Sequence, residues 1–213
     1  MNPINTKVYF LLLVGGKSLR MGEDKSFVLL NKKSNFISLL LKRIRIFKIP
    51  IFISLRSEQW KKYSSFIPGD TLILDSAVNV EGPLKGIISA FHYFKNKKDL
   101  PDYFFVLPID LPLIRLKTIA RLLVELNLIH EKCSGLFYQS SFGIEPLAGI
   151  YSTEVLNEWD KEISNSKNQN YSLFQKIKKI NPHPKFLNLP LSEEIFFKNI
   201  NTKEDLTDLK NKL

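Results

Sequence analysis

Lys7 to Val14 forms a continuous apolar run that stops at Gly15-Gly16. An apolar run of this length, bounded by turn formers, is the pattern of a strand buried on both faces of a parallel sheet. From Ser34 onward the apolar positions Phe36, Ile37, Leu40, Leu41, Ile44 and Phe47 recur at helical spacing, with Ser34 as the expected N-cap. Strand, loop and helix in that order open a βαβ unit. The alternation continues with strands expected at Ile51 to Leu55, Thr71 to Leu74 and Tyr103 to Leu107. Helices are expected at Ser57 to Ser64, Gly86 to Phe94 and Arg115 to Asn127. This pitch predicts a doubly wound, mainly parallel, Rossmann-like α/β sheet.

The second half is less regular. Gly135 to Gln139 and Leu147 to Tyr151 read as strands joined by a hairpin through Ser140-Ser141-Phe142-Gly143, and helices are expected at Thr153 to Ser164 and Tyr171 to Lys179. The polar Asn/Ser/Lys stretch between those helices reads as a mobile loop. Thr202 and Asp205 form a capping box for a closing helix. No repeat or linker composition cuts the 213 residues, so residues 1–213 are expected to form one domain.

Composition narrows the function classes. The net charge is +10, carried by 25 Lys against 6 Arg. Sequence-specific nucleic-acid readers and phosphate clamps lean on the planar fork of Arg, which is scarce here. The charge therefore leaves an acidic partner open without naming it. A single cysteine, Cys133, excludes an intramolecular disulfide framework and a Cys-based structural zinc site, and points to a reducing, cytoplasmic setting. His92, His130 and His183 are widely spaced, with no ligand-spaced neighbours. The apolar run ending at Val14 is too short to span a bilayer and has no small-residue cleavage site after it, so a mature cytosolic protein without a membrane partner is expected.

In an open α/β sheet, ligands bind outside the carboxyl ends of the strands, which ranks the loops before any motif is considered. The loop after the first strand runs from Gly15-Gly16 through Arg20 and Met21-Gly22 to Asp24-Lys25. Its glycines let backbone N–H groups approach phosphate oxygens, and Arg20 and Lys25 place positive charge where a triphosphate would lie. The loop lacks the earlier glycine of a Walker A motif, position 11 being Leu, and holds no Gly-x-Gly-x-x-Gly. Asp110 follows the strand Tyr103 to Leu107 and is held between Pro108 and Pro112. A carboxylate placed there suits Mg²⁺, which takes one or two protein carboxylates plus phosphate oxygens and waters; the competing reading is a helix cap. Gly82-Pro83-Leu84-Lys85-Gly86 precedes a helix whose N-terminus can face an anion. Asp75, after the third strand, can accept hydrogen bonds from a ribose or a guanine edge, or serve as an ordinary turn residue.

Taken in order, these segments resemble the molybdenum cofactor guanylyltransferases and their nucleotidyltransferase relatives. The likeness runs through Leu13-Val14-Gly15-Gly16 to Asp24-Lys25, Glu81 to Ile87, Leu107 to Pro112, Glu145-Pro146-Leu147 to Tyr151, and Asn199-Ile200-Asn201-Thr202 to Leu206. The resemblance implies a single nucleotidyltransferase domain of GT-A-like fold. It also implies transfer of GMP from GTP to the phosphate of molybdopterin, with Mg²⁺ present and pyrophosphate released. Position by position, it implies that Leu13, Val14, Gly15 and Gly16 line the nucleotide, that Lys25 contacts its phosphates and that Asp75 belongs to the GTP site. Asp110 would hold Mg²⁺, Arg20 falls on the motif's arginine, and Asn199 and Asn201 match a segment near the active site. Other cofactor-biosynthesis or molybdoenzyme maturation proteins are the implied further partners. Val14 stands in place of the usual alanine, Ile109 in place of a frequent cysteine and Lys203 in place of a usual proline. None of these departures removes a charge that the chemistry requires.

The expected reaction needs no protein nucleophile, because the acceptor phosphate attacks the α-phosphorus directly. Catalysis then rests on alignment and charge neutralisation by Arg20, Lys25 and Asp110. The alternatives are a relative that uses CTP or another phosphorylated acceptor, an inactive paralogue, and a basic nucleic-acid-binding protein. The last predicts salt-sensitive binding to DNA or RNA, but the sequence lacks an interleaved basic and aromatic strand, so no nucleic-acid partner is expected.

Overall fold

The computed structural model describes residues 6–15, 24–31, 34–129, 131–165, 172–200 and 202–210. Gly16, Arg20, Asn201 and His130, together with the polar stretch at 166–171, lie outside the described residues. A seven-stranded sheet runs β5-β4-β1-β6-β8-β7-β9. Its strands are β1 (Val8–Leu13), β4 (Ile51–Leu55), β5 (Leu72–Leu74), β6 (Tyr103–Pro108), β7 (Gly135–Ser140), β8 (Gly143–Ser152) and β9 (Lys185–Asn188). β1 pairs in parallel with both β4 and β6, and β5 continues that sense beyond β4. β8 is antiparallel to β6 and to β7, and β9 is parallel to β7, so β8 alone runs against the rest. The expected doubly wound, mainly parallel sheet is therefore present.

The period of two along a strand divides the core into two layers. Phe10 and Leu12 of β1, with Phe105 and Leu107 of β6, pack on the face that carries α1 (Phe36–Ile44) and α4 (Leu116–Leu128). Tyr9, Leu11, Phe104 and Val106 point to the other face, against α3 (Pro83–Asn96) and α5 (Thr153–Asn165). Helices thus cover both faces of the sheet. The four adjacent parallel strands β5, β4, β1 and β6 direct their carboxyl ends to one edge of the sheet.

Several local readings are corrected. The cap of α1 is Asn35 rather than Ser34: Asn35 Oδ1 accepts from the Ser38 N–H at 2.9 Å, and the Asn35 N–H donates to Ser38 Oγ at 3.1 Å. Ser34 instead lies in β3 (Ser34–Asn35), which pairs with β2 (Leu29–Asn31) in a small ribbon absent from the sequence reading. The segment after β4 divides into a 3-10 turn, Ser57–Gln59, and the single-turn α2 (Trp60–Tyr63). α6 (Leu173–Lys178) and α7 (Leu191–Glu194) flank β9, an edge strand that was also not anticipated. At α8 (Lys203–Lys210) the expected box is present, with the Thr202 N–H on Asp205 Oδ2 at 3.0 Å and the Asp205 N–H on Thr202 Oγ1 at 3.1 Å. Among the described residues no helix is long and apolar enough to cross a membrane.

Candidate active site

The loops leaving β1, β4, β5 and β6 meet around a cavity of about 610 Å³, within the size range of small-molecule sites. Each wall follows from its strand. Leu13, Val14 and Gly15 continue β1, whose register beside β6 is extended by the Ile109 N–H donating to the Leu13 carbonyl at 3.1 Å. Asp75 follows β5, where its N–H donates to the Leu55 carbonyl at 2.9 Å and its Oδ1 accepts from Ser54 Oγ at 2.8 Å. That second bond fixes the carboxylate in the wall.

α3 approaches the cavity with its N-terminus. Gly82 adopts φ +67° and ψ −155°, a conformation open essentially to glycine alone, and Pro83 occupies the first helical position. One turn later Gly86 lies so close to the sheet that a Cβ would sit 2.6 Å from Ser54 Oγ and 3.0 Å from Leu13 Cδ2. The missing side chain lets the helix end come down onto β1 and β4. The helix dipole gives the wall a partial positive charge at this end of α3.

Lys25 and Asp110 face each other across the other side. Asp24 caps a 3-10 turn, Lys25–Phe27, by accepting from the Ser26 N–H at 3.0 Å. Lys25 opens that turn, and its Nζ lies 3.8 Å from Asp110 Oδ2. Asp110 does not cap α4, whose N-cap is Arg115. Its loop is instead tied from two directions, by Arg43 Nη1 on the Pro112 carbonyl and by the Ile200 N–H on the Asp110 carbonyl at 3.0 Å. The second tie places the Asn199 segment beside Asp110, although Asn199 itself is exposed and does not line the cavity.

Asp110 Oδ1 is buried without a hydrogen-bond partner among the described residues. Burial pushes its carboxyl above the ordinary aspartate value, and the Lys25 charge only partly opposes that rise. An orphaned carboxylate oxygen is a vacant ligand for a hard cation. Among the described residues no group of three acidic, His or Cys side chains could hold a metal unaided. The donor set therefore suits an ion that completes its shell from substrate oxygens and water, as Mg²⁺ does.

Leu13, Val14, Gly15, Lys25, Asp75, Gly82 and Asp110 all line this one cavity. Gly16, Arg20 and Asn201 are outside the described residues. Arg56, which stands in no sequence motif, also lines the cavity, pairs through Nη1 with Glu58 at 2.9 Å and has a buried Nε without a partner among the described residues. Its position directly after β4, at the same sheet edge, was the available signal.

The chain matches the model of the MobA-like NTP transferase domain over residues 10–180. A protein of Flavobacterium johnsoniae described as a probable molybdenum cofactor guanylyltransferase is 31% identical, over 93% of this chain and 94% of that protein. One from Geobacillus with the same description is 27% identical, over 95% of this chain and 98% of that protein. The crystal structure of molybdopterin-guanine dinucleotide biosynthesis protein A from Archaeoglobus fulgidus superposes with a TM-score of 0.73 at 22% identity, covering 95% of this chain and 97% of that one. With the sheet, the strand-edge cavity and these matches together, the chain belongs to the MobA-like NTP transferase family and is an enzyme of the nucleotidyltransferase class.

Proposed function

We propose that the chain acts as one cytoplasmic domain that transfers GMP from GTP to the phosphate of molybdopterin, with Mg²⁺ bound and pyrophosphate released. The observation that carries this reading is the pairing of Lys25 with Asp110 at 3.8 Å, beside an orphaned Asp110 oxygen and within the strand-edge cavity. A cation for phosphate and a carboxylate for metal are what a reaction between two polyanions requires of a protein that contributes no nucleophile. The descriptions of the Flavobacterium and Geobacillus relatives support a guanine nucleotide and the molybdenum cofactor as the two substrates.

Each residue then has a task. Lys25 binds the triphosphate and offsets charge on the departing pyrophosphate, and the positive end of the α3 dipole at Gly82-Pro83 favours the same chain of oxygens. Asp75, held by Ser54, accepts hydrogen bonds from the nucleoside. The chemistry supplied at Asp110 when Mg²⁺ is bound is neutralisation of phosphate oxygens. Arg20, Gly16 and Asn201 are assigned to the site by their motif positions, and Asn199 to its border beside Asp110.

Thermal unfolding with each nucleoside triphosphate plus Mg²⁺ tests the base. GTP is expected to give the largest upward shift, since a ligand that binds only the native state stabilises it. A larger shift with CTP would replace guanine by cytosine in this assignment.

A further inference from the structure

The loop that leaves β1 comes back at Asp24, and both of its described ends meet the same side chain. Gln59 ends the 3-10 turn after β4 and is 7% exposed. Its Nε2 donates to the Val14 carbonyl at 3.1 Å and to Asp24 Oδ2 at 2.7 Å. Its Oε1 accepts from the Arg56 N–H at 3.0 Å. Both amide donors and the acceptor are thus used by three separate pieces of chain. Each piece carries a cavity residue: Gly15 follows Val14, Lys25 follows Asp24, and Arg56 lines the cavity itself.

We propose that Gln59 is a positioning residue for nucleotide transfer, holding the Lys25 turn and the Arg56 backbone at a fixed separation from the end of β1 so that both cations address one phosphate chain. This rests on the nucleotidyltransferase reading above. Asp24 caps the turn that begins with Lys25, so fixing Asp24 fixes where the lysine stem starts. A bond from an amide to a carboxylate is charge-assisted and among the stronger neutral-donor contacts. Without Gln59, the Val14 carbonyl and one Asp24 oxygen lose this shared donor, and the two ends of the loop are no longer tied.

Tyr63 supplies the control. It supports the same turn from outside, through its OH on Ser26 Oγ and a longer contact to Asp24 Oδ1 at 3.5 Å, but it touches neither Val14 nor Arg56 in these bonds. It therefore separates local stability from positioning.

The experiment is a double-mutant cycle on the full chain, with GTP affinity in Mg²⁺ measured by calorimetry and thermal unfolding followed in parallel. Gln59→Met and Lys25→Met are each expected to weaken GTP by about tenfold, a loss of about 1.4 kcal/mol. The double variant is expected to lose clearly less than the product of the two single losses, because part of the Gln59 effect acts through the lysine. Tyr63→Phe is expected to lower the unfolding temperature and keep GTP affinity within about twofold of the native value. Should Gln59→Met not fold, Gln59→Glu keeps the acceptor for Arg56 but sets a carboxylate against Asp24. Its GTP affinity is expected to recover when Asp24→Asn returns a donor to that contact. Multiplying losses in the cycle, unchanged affinity in Gln59→Met, equal weakening in Tyr63→Phe, or no recovery with Asp24→Asn would each overturn the proposal while leaving GTP binding itself intact. Absence of GTP binding by the native chain would instead remove the nucleotide reading, and this proposal with it.

Discussion

At the residue scale, Asp110 holds a charge that its surroundings oppose. Burial raises its carboxyl pKa and Lys25 recovers only part of the penalty. The native state therefore binds more protons than the unfolded chain between the ordinary aspartate value and the raised one, and stability falls as pH rises through that window. Asp110→Asn removes the buried charge. Without Mg²⁺ at neutral pH, its unfolding temperature is expected to equal or exceed that of the native protein, with the difference shrinking as pH is lowered; a drop of several degrees would contradict this account. Turnover should be lost in the same variant, a trade of function for stability seen at strained sites. Asp75 and Asp110 were legible in the sequence because each follows an apolar strand, and Lys25 because it ends the glycine-rich loop after the first one. Arg56 occupies an equivalent place after β4 but stands in no motif. Gln59 was not legible, since its decisive contacts reach 45 and 35 residues along the chain.

At the scale of elements, the approach of α3 to the sheet shapes the cavity. Gly86→Ala would drive a methyl group into Ser54 Oγ and Leu13 Cδ2. Overpacking of this kind costs about 1–3 kcal/mol. Gly86→Ala is expected to unfold at lower temperature and to bind GTP more weakly; because the nearest clash is with the Ser54 hydroxyl, adding Ser54→Ala should restore part of the stability. Simple additivity of the two losses, measured by thermal unfolding, would show that the contact is not the cause. At the far end of the chain, Thr202→Ala breaks the box that starts α8 and should cost about 1 kcal/mol in denaturant unfolding. That box was readable from spacing alone. At α1 spacing also decided, but one residue later than expected. Asn35 has Ser38 three residues on to reciprocate, whereas Ser34 faces the apolar Ile37. β9 escaped because Lys185-Phe186-Leu187-Asn188 is an edge strand with only Leu187 buried, so neither alternation nor a long apolar run marks it.

For the whole molecule, the central strands and their crossovers were legible because both faces of β1 and β6 are buried, which forces long apolar runs into the sequence. The reversal of β8 against β7 was legible as a hairpin through Ser140 to Gly143, but its antiparallel pairing with β6 was not, since antiparallel and parallel strands there carry the same composition. The net charge of +10 also reads differently once the cavity is known. Among its described lining residues, Lys25, Arg56 and Lys85 stand against Glu58, Asp75, Glu81 and Asp110. The overall positive field assists encounter with anions, but these local charges do not neutralise a triphosphate. Removal of Mg²⁺ with a chelator is accordingly expected to weaken GTP binding by about tenfold or more in calorimetry, and undiminished affinity would contradict the role given to Asp110. The most direct test of the central claim is mass spectrometry of the product formed by the native chain from Mg²⁺, molybdopterin and GTP, with CTP in a parallel reaction. The account predicts molybdopterin enlarged by GMP, pyrophosphate in equal amount, and no product from Asp110→Ala. A cytidine adduct in preference to the guanine one, or unmodified molybdopterin alone, would contradict it.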